Sequence, residues 1–599
     1  MIVKKKDDFQ DIESMTIRLS KAASITDSEG EKSFPAFLKA VLLEIPYFQT
    51  NPDDIVIQNI ENDPKGRANL FALVRGSGKD CVLLTGHYDV VQTSMYGSLE
   101  PWAFDPEALR AKLLEQPPEL DGTEEALQSL RKDLASGEFL PGRGVLDMKS
   151  GLAAGISTLS AFSRKREHGG GNDGVHRTDH SEELWHEHGG GRREERQPDQ
   201  IGELGDNNAG KRRGNILFMA VADEEGSSRG MKAAASRLPV LLKDWGLEPR
   251  LVVNLDAAVD QGEGEQGRAV FTGSVGKALP FVYFIGRCTH AGAPFDGINP
   301  ALMASEFARE IECNPDALAE RRDKPGEAPS PPTILYFREA RESYDVTTAQ
   351  AFFCAINVLS HTLSPEAIIE SLGKLAETAM YRATELLGKR ASAFSGLVSG
   401  QFSIPDVKPS VLAFKDFVRK AELAKPGILD SARSLAATRH PDDRVQQSLA
   451  VLQTLLPFAG IEGPAAVLGF APPYYPRAEF DQNKNADFMA TLREIIADFS
   501  KEIGRRIRLR PYFPGISDMS FLSFFDSPEQ RCFVRKMCPV IDSFGADAAL
   551  LPIGCPVINL GPWGREYHQL GERVHKEYSF KQMPILLSRL VSAVLNREE

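Results

Sequence analysis

Four short runs rich in Val, Ile and Leu (Cys81–Thr85, Asn215–Val221, Leu251–Leu255 and Pro556–Leu560) are separated by stretches with helical spacing. A run that is apolar at nearly every position, rather than at alternate ones, belongs to a strand covered on both faces. Lys149–Phe162, Gly230–Lys243 and Asp487–Ile503 carry the helical patterns that would cover such strands. Strands joined through helices predict an α/β domain with a mixed, mostly parallel sheet flanked by helices. A second pattern starts near Gly276. ALPFVYFIGRC reads as a strand, NPALMASEFAREIE as a helix, TILYFREA and TTAQAFFCAINVLSH as two strands, SPEAIIESLGKLAETAMYRATELL as a long helix and SVLAF as a closing strand. That order predicts a small α+β domain inserted in the first. The expected division is 1–274 and 411–599 for the α/β domain, with 275–410 as the insert.

Composition narrows the function classes. With 42% hydrophobic and 26% charged residues, the 599-residue chain has material for a large core and is too long for one domain. A net charge of −13 leaves no basic excess for binding nucleic acid. Met1–Gln10 is charged and lacks an apolar stretch, so no signal peptide is expected, and no run approaches the roughly 18 apolar residues of a membrane helix. The seven cysteines form no CxxC pair and read as reduced thiols of a cytoplasmic protein. The polar, Gly-rich segment 164–213 holds His168, His176, His180, His186 and His188. Without apolar periodicity it reads as a disordered insertion rather than a metal-binding or docking tract.

Metal-capable residues sit just past the ends of the predicted strands. CVLLTGHYDV places His87 and Asp89 after one strand, and NILFMAVADEEGSS places Glu224 and Glu225 after another. LVVNLD ends in Asp256, VINLGPWGREYHQLGERV carries His568, and GRGVLDMKSG puts Asp147 in a turn before a helix. Ligands of open α/β sheets bind at the carboxyl ends of the strands, so these residues are expected to converge. Their types and number suit two divalent cations, one held by His87, Asp147 and Asp256, the other by Asp147, Glu225 and His568. Zinc is the expected metal, with cobalt and manganese accepted by the same ligands. Zinc lowers the pKa of water from about 16 to near 7, which supplies a nucleophile without a Ser or Cys. Asp89, two residues from His87, is expected to hold the far ring nitrogen. Glu224 is expected to act as general base and then as acid toward the leaving amine.

GHYDVV, GRGVLDMKSG, ADEEGS, NLD, THAGAPFDGINP and GPWGREYHQLGERV together resemble the successive motifs of the M20 metallopeptidases, which include carboxypeptidases, deacetylases, a desuccinylase and aminoacylases. The wide GHYD-to-GRG spacing and the PYFPGISDMSFL and GPWG segments are similar to the family's bacterial arginine-utilisation branch. The resemblance implies a zinc-exopeptidase-like fold whose inserted domain serves as lid and dimerisation domain. It implies the same ligands and the same roles for Glu224 and Asp89, with His568 preferred over His575, read as a surface residue. It further implies a cis peptide at Asp147–Met148 and a carbonyl-polarising role for His290, with a homodimer as the expected assembly. Hydrolysis of a small peptide or N-acyl amino acid in amino-acid catabolism is the function implied. A catalytically inactive metal-binding scaffold or regulator is the alternative, and the intact Glu224 speaks against it. The chain departs from the family in three ways. Ser150 replaces a glycine of the usual DMKGG. His87 and Asp147 are 60 residues apart, which leaves an extra segment, 94–140, expected beside the site mouth. The family's carboxylate-binding arginine has no secure counterpart, Arg338 and Arg341 being nearby candidates.

Overall fold

The computed structural model describes residues 11–115, 124–164, 213–318, 328–341, 344–398, 400–441, 443–540 and 552–596. The histidine-rich tract of segment 164–213 therefore lies outside the described residues. The chain divides into two compact units, the first formed by residues 1–270, 482–509 and 560–599 and the second by 271–481 and 510–559.

The first unit is built on strands β1 (Ile55–Asn59), β2 (Ala68–Val74), β3 (Ser77–His87), β4 (Arg213–Val221) and β5 (Glu248–Asn254), in the spatial order β1-β2-β4-β3-β5. The inner strands β4, β3 and β5 run parallel, while β1 and β2 add an antiparallel margin. The mixed α/β sheet is thus present, with a parallel interior and an antiparallel margin. Every residue of β2 and every residue of β3 from Cys81 on is buried, as expected of strands covered on both faces. Helices α1 (Ser150–Arg164) and α2 (Arg229–Trp245) pack on this sheet. Gly151 is required at the start of α1, because a Cβ there would stand 2.1 Å from the carbonyl oxygen of Leu255. Ser150 is fully buried and is accommodated at the neighbouring position. A smaller sheet joins the short strands Phe139–Pro141, Arg573–His575, Trp563–Arg565 and Ala258–Val259.

The second unit holds β6 (Gly276–Ile285), β7 (Thr333–Glu339), β8 (Ala351–Ser360), β9 (Ser410–Ala413) and β10 (Ala465–Tyr475), in the order β7-β8-β6-β10-β9. Helices α3 (Pro300–Ile311) and α4 (Pro365–Ser395) start at prolines preceded by the side-chain caps Asn299 and Ser364. They pack with Val282 and Phe284 of β6. The alternate residues Phe281, Tyr283 and Ile285 face a second core, formed by α5 (Phe414–Ala424), α6 (Ile428–Arg439) and α7 (Arg444–Leu455).

The sequence places the return to the first domain at residue 410, whereas the unit runs on to Asp481 and takes back 510–559. The cause is β10, which pairs antiparallel with β6 and parallel with β9. It lies inside the sheet, so the helices between β9 and β10 stay with it. No helix among the described residues is long and apolar enough to cross a membrane.

Candidate metal centre

The parallel register aligns the strand ends. Leu83 of β3 stands opposite Leu217 of β4 and Val252 of β5. His87, the last residue of β3, is therefore paired with Val221 at the end of β4, and Thr85 with Asn254 at the end of β5. Glu224 and Glu225 follow β4, and Asp256 follows β5. Asp147 lies in the turn before α1, and its peptide bond to Met148 is cis. His568 stands at the tip of the antiparallel hairpin that joins Trp563–Arg565 to Arg573–His575.

These five side chains meet. His87 Nε2 lies 3.0 Å from Asp147 Oδ1 and 3.8 Å from Asp256 Oδ1. His568 Nε2 lies 3.1 Å from Asp147 Oδ2 and 2.8 Å from Glu225 Oε1. Two sets result, His87–Asp147–Asp256 and Asp147–Glu225–His568, each with its ligand atoms within 4.8 Å of one another and each able to hold a metal ion. Asp147 supplies one oxygen to each set.

The residues fit a pair of divalent cations on chemical grounds. The donors are imidazole nitrogens and carboxylate oxygens, the set that suits zinc and its first-row neighbours. Glu225 Oε1 and His568 Nε2 are buried and face each other at 2.8 Å, without a well-formed hydrogen bond among the described residues. The protonation balance points the same way. Burial pushes Glu225 up to about 7 against the pull of His568, and the Asp147 charge adds to the rise. Burial would depress His568, but Asp147 and Glu225 raise it to about 10. His87 is also pulled down by burial, and Asp147, Asp256 and Asp89 more than reverse this. Protons thus share the space between these groups, and a cation that displaces them binds in a pH-dependent way.

Asp89 does something the HxD spacing did not suggest. His87 Nδ1 is 3.0 Å from the backbone carbonyl of Asp89 but 3.6 Å from its carboxylate, beyond a good hydrogen bond. The fully buried carboxylate instead accepts the backbone N–H groups of Glu224 (3.0 Å) and Glu225 (3.2 Å) and the Thr26 hydroxyl (2.9 Å). It therefore ties the end of β3 to the turn that carries the acid pair.

Several further groups surround the centre without having been singled out in the sequence. Glu572 accepts the backbone N–H groups of Leu146 and Asp147 at 3.3 and 3.4 Å and pairs with Arg143 at 2.5 Å. Lys149 is buried and donates to Ser24 Oγ (2.6 Å) and the Tyr88 carbonyl (2.7 Å), with burial pulling its pKa well down. Burial pushes Tyr567 up to about 12, and the charges of Asp147, Asp256, Glu225 and Glu224 add to this. Of these, Glu572 alone stands at a recognisable spacing, four residues after His568 in HQLGE.

His575 needs correction. It is buried, not superficial: its ring packs on Phe139 (5.1 Å) and Trp563 (4.6 Å), and Nδ1 accepts the Tyr578 N–H. Burial, with nearby arginines, lowers it to about 4. His290 belongs to the second unit, where it is exposed, bridges to Thr347 and accepts the Gly292 N–H at 3.0 Å. Arg338 and Arg341 lie in the same unit. Arg338 donates to the Glu339 carbonyl, and Arg341 pairs with Glu339 at 2.6 Å.

No family model matches the sequence. The uncharacterized protein YqjN of Bacillus subtilis is 30% identical over 586 residues, covering 96% of this chain and 95% of that protein. Protein RocB of the same organism is 28% identical over 594 residues, covering 96% and 94%. Among solved structures, a Staphylococcus aureus tripeptidase is similar at 13% identity and a TM-score of 0.48, covering 98% of this chain and 99% of that one. The chain belongs to the same family as YqjN, and it is similar to RocB along nearly its whole length.

Proposed function

We propose that the protein is a metal-dependent hydrolase that cleaves the amide or peptide bond of a small N-acyl amino acid or peptide. The observation that carries this reading is the meeting of His87, Asp147, Asp256, Glu225 and His568 in two sets that share Asp147. Two divalent cations held by these residues, zinc foremost, would supply Lewis acidity and lower the pKa of a water toward neutrality.

The remaining steps belong to the chain. Glu224 takes the proton of the attacking water and hands it to the leaving amine, so that the scissile C–N bond breaks to an acid and a free amine. Its backbone is pinned through the N–H held by Asp89, which keeps the base beside the ligand Glu225. Glu572 fixes the backbone of the Asp147 turn. The role of His290 in polarising the scissile carbonyl is carried by the family resemblance, as is a setting in amino-acid catabolism.

The test is metal analysis together with a panel of N-acyl amino acids and dipeptides, on wild type and Glu224→Gln. The variant is expected to retain its metals and lose about 10²–10⁴-fold in kcat. Equal turnover by the two proteins would overturn the role of Glu224. A wild-type protein that binds no divalent metal would overturn the whole reading.

A further inference from the structure

The loop 566–572 that carries His568 is held in an unfavourable conformation. Glu566 (φ 56°) and His568 (φ 62°) both lie in the left-handed region, and neither is glycine. Such conformations are unfavourable for residues with a Cβ and persist only where the surroundings over-determine them. The groups that restrain it lie partly outside the loop's own stretch of chain.

Arg143 and the turn at Asp147 hold its last residue, Glu572, and the remaining outside restraints come from the extra segment 94–140, whose helices Pro106–Glu115 and Glu124–Ser136 form a core of their own around Leu99, Leu109, Leu113, Leu130 and Leu134. Leu570, two residues past His568, packs on that core. Asp133 of the second helix is buried, and its Oδ2 accepts from Arg565 Nη1 (2.6 Å) and Arg573 Nε (2.8 Å). Arg565 ends one strand of the hairpin and Arg573 begins the other. One carboxylate oxygen therefore clamps both feet of the loop. Arg573 carries the restraint inward through Nη1, which donates to the Gly571 carbonyl (2.8 Å) and lies 3.2 Å from Glu566. A Cβ on Gly571 would collide with that Glu566 carboxylate.

We propose that the described parts of the segment, 94–115 and 124–140, brace one half of the metal centre, and that Asp133 is the positioning residue. Through Arg565 and Arg573 it sets the loop so that His568 meets Glu225 and Asp147. The other set needs no such brace, because His87 and Asp256 are placed by β3 and β5. The inference rests on the two-cation reading above, and its signature is selective: Asp133 governs the affinity of the cation held by His568 and leaves the other unchanged. The size expected is the ~10–100-fold loss typical of groups that orient a ligand from behind.

The experiment strips the full-length protein with a chelator and titrates it with zinc by calorimetry, for wild type, Asp133→Asn and Leu570→Ala. Wild type is expected to take up two equivalents. Both variants are expected to keep one at wild-type affinity and to bind the second ~10–100-fold more weakly. Two equivalents bound as tightly as in wild type would overturn the brace. So would a loss shared by both equivalents, the mark of a general loosening. A wild-type protein taking up fewer than two equivalents would instead sink the two-cation reading. If Asp133→Asn fails to fold, Leu570→Ala, which removes no charge, decides the question.

Discussion

The two halves of the centre are built differently. In one, His87 and Asp256 stand at the ends of adjacent parallel strands and are almost wholly buried, His87 at 2% and Asp256 at 7% exposure. In the other, His568 stands on a hairpin tip, its side chain 39% exposed and its backbone left-handed. A sheet places a ligand as a by-product of its register, whereas a hairpin tip needs side chains from elsewhere to fix it. The difference predicts a tight, robust site beside a weaker and tunable one, with Asp147 common to both.

The largest effect is expected from Asp147→Ala, which removes the shared carboxylate. Both equivalents of metal should be lost, and turnover should fall by at least the ~10²–10⁴-fold of a missing proton shuttle. One tightly bound equivalent surviving in metal analysis would show that the halves do not share Asp147. Next come His87→Ala and His568→Ala. Each should weaken one equivalent beyond the ~10–100-fold of an outer group, with the surviving equivalent the tighter in His568→Ala. The opposite order in a zinc titration would invert the comparison.

A smaller effect bears on the hairpin alone. His575 is held near 4 against an ordinary 6.5, so it is neutral in the folded protein at pH values where the unfolded chain is protonated. Its stabilisation is complete above pH 6.5 and drains away as pH falls toward 4, by on the order of 1–3 kcal/mol. Urea unfolding at pH 7.5 and 4.5 should show this loss, and His575→Phe should reduce it; an unchanged pH difference in the variant would refute the assignment. The smallest change is Ser150→Gly. The buried Ser150 Oγ has no hydrogen-bond partner among the described residues. Losing it should offset the ~0.5–1 kcal/mol cost of glycine in a helix. Unfolding midpoints within about 1 kcal/mol of wild type and unchanged zinc uptake are expected; a lost equivalent would mean that Ser150 supports the sheet-end half.

Much of the α/β frame was legible because its strands are apolar on both faces and end abruptly in charged or imidazole residues. The apolar runs at 81–85, 215–221 and 251–255 fall within β3 and β4 and along β5, and the residues just past them carry the centre. Less legible was the extent of the second unit. AAVLGFAPPYY is as apolar as any strand of the first sheet, and nothing local says that it inserts between β6 and β9. The further contacts of Asp89 were not legible because HxD spacing fixes which side a residue points to, but not which backbone N–H groups another strand brings within reach. His575 was taken as exposed because its burial depends on Phe139 and Trp563, which lie on different strands of the small sheet.

By itself, the sequence determined which residue types stand at the ends of the strands, and so which chemistry is available. Chain direction and hydrophobic length are local properties, and parallel pairing then lines up those ends without further instruction. Only the tertiary structure decided how the ligands are held. Asp133 meets Arg565 and Arg573 across separations of 432 and 440 residues. Contacts at such range arise from packing and leave no mark in the spacing of either partner.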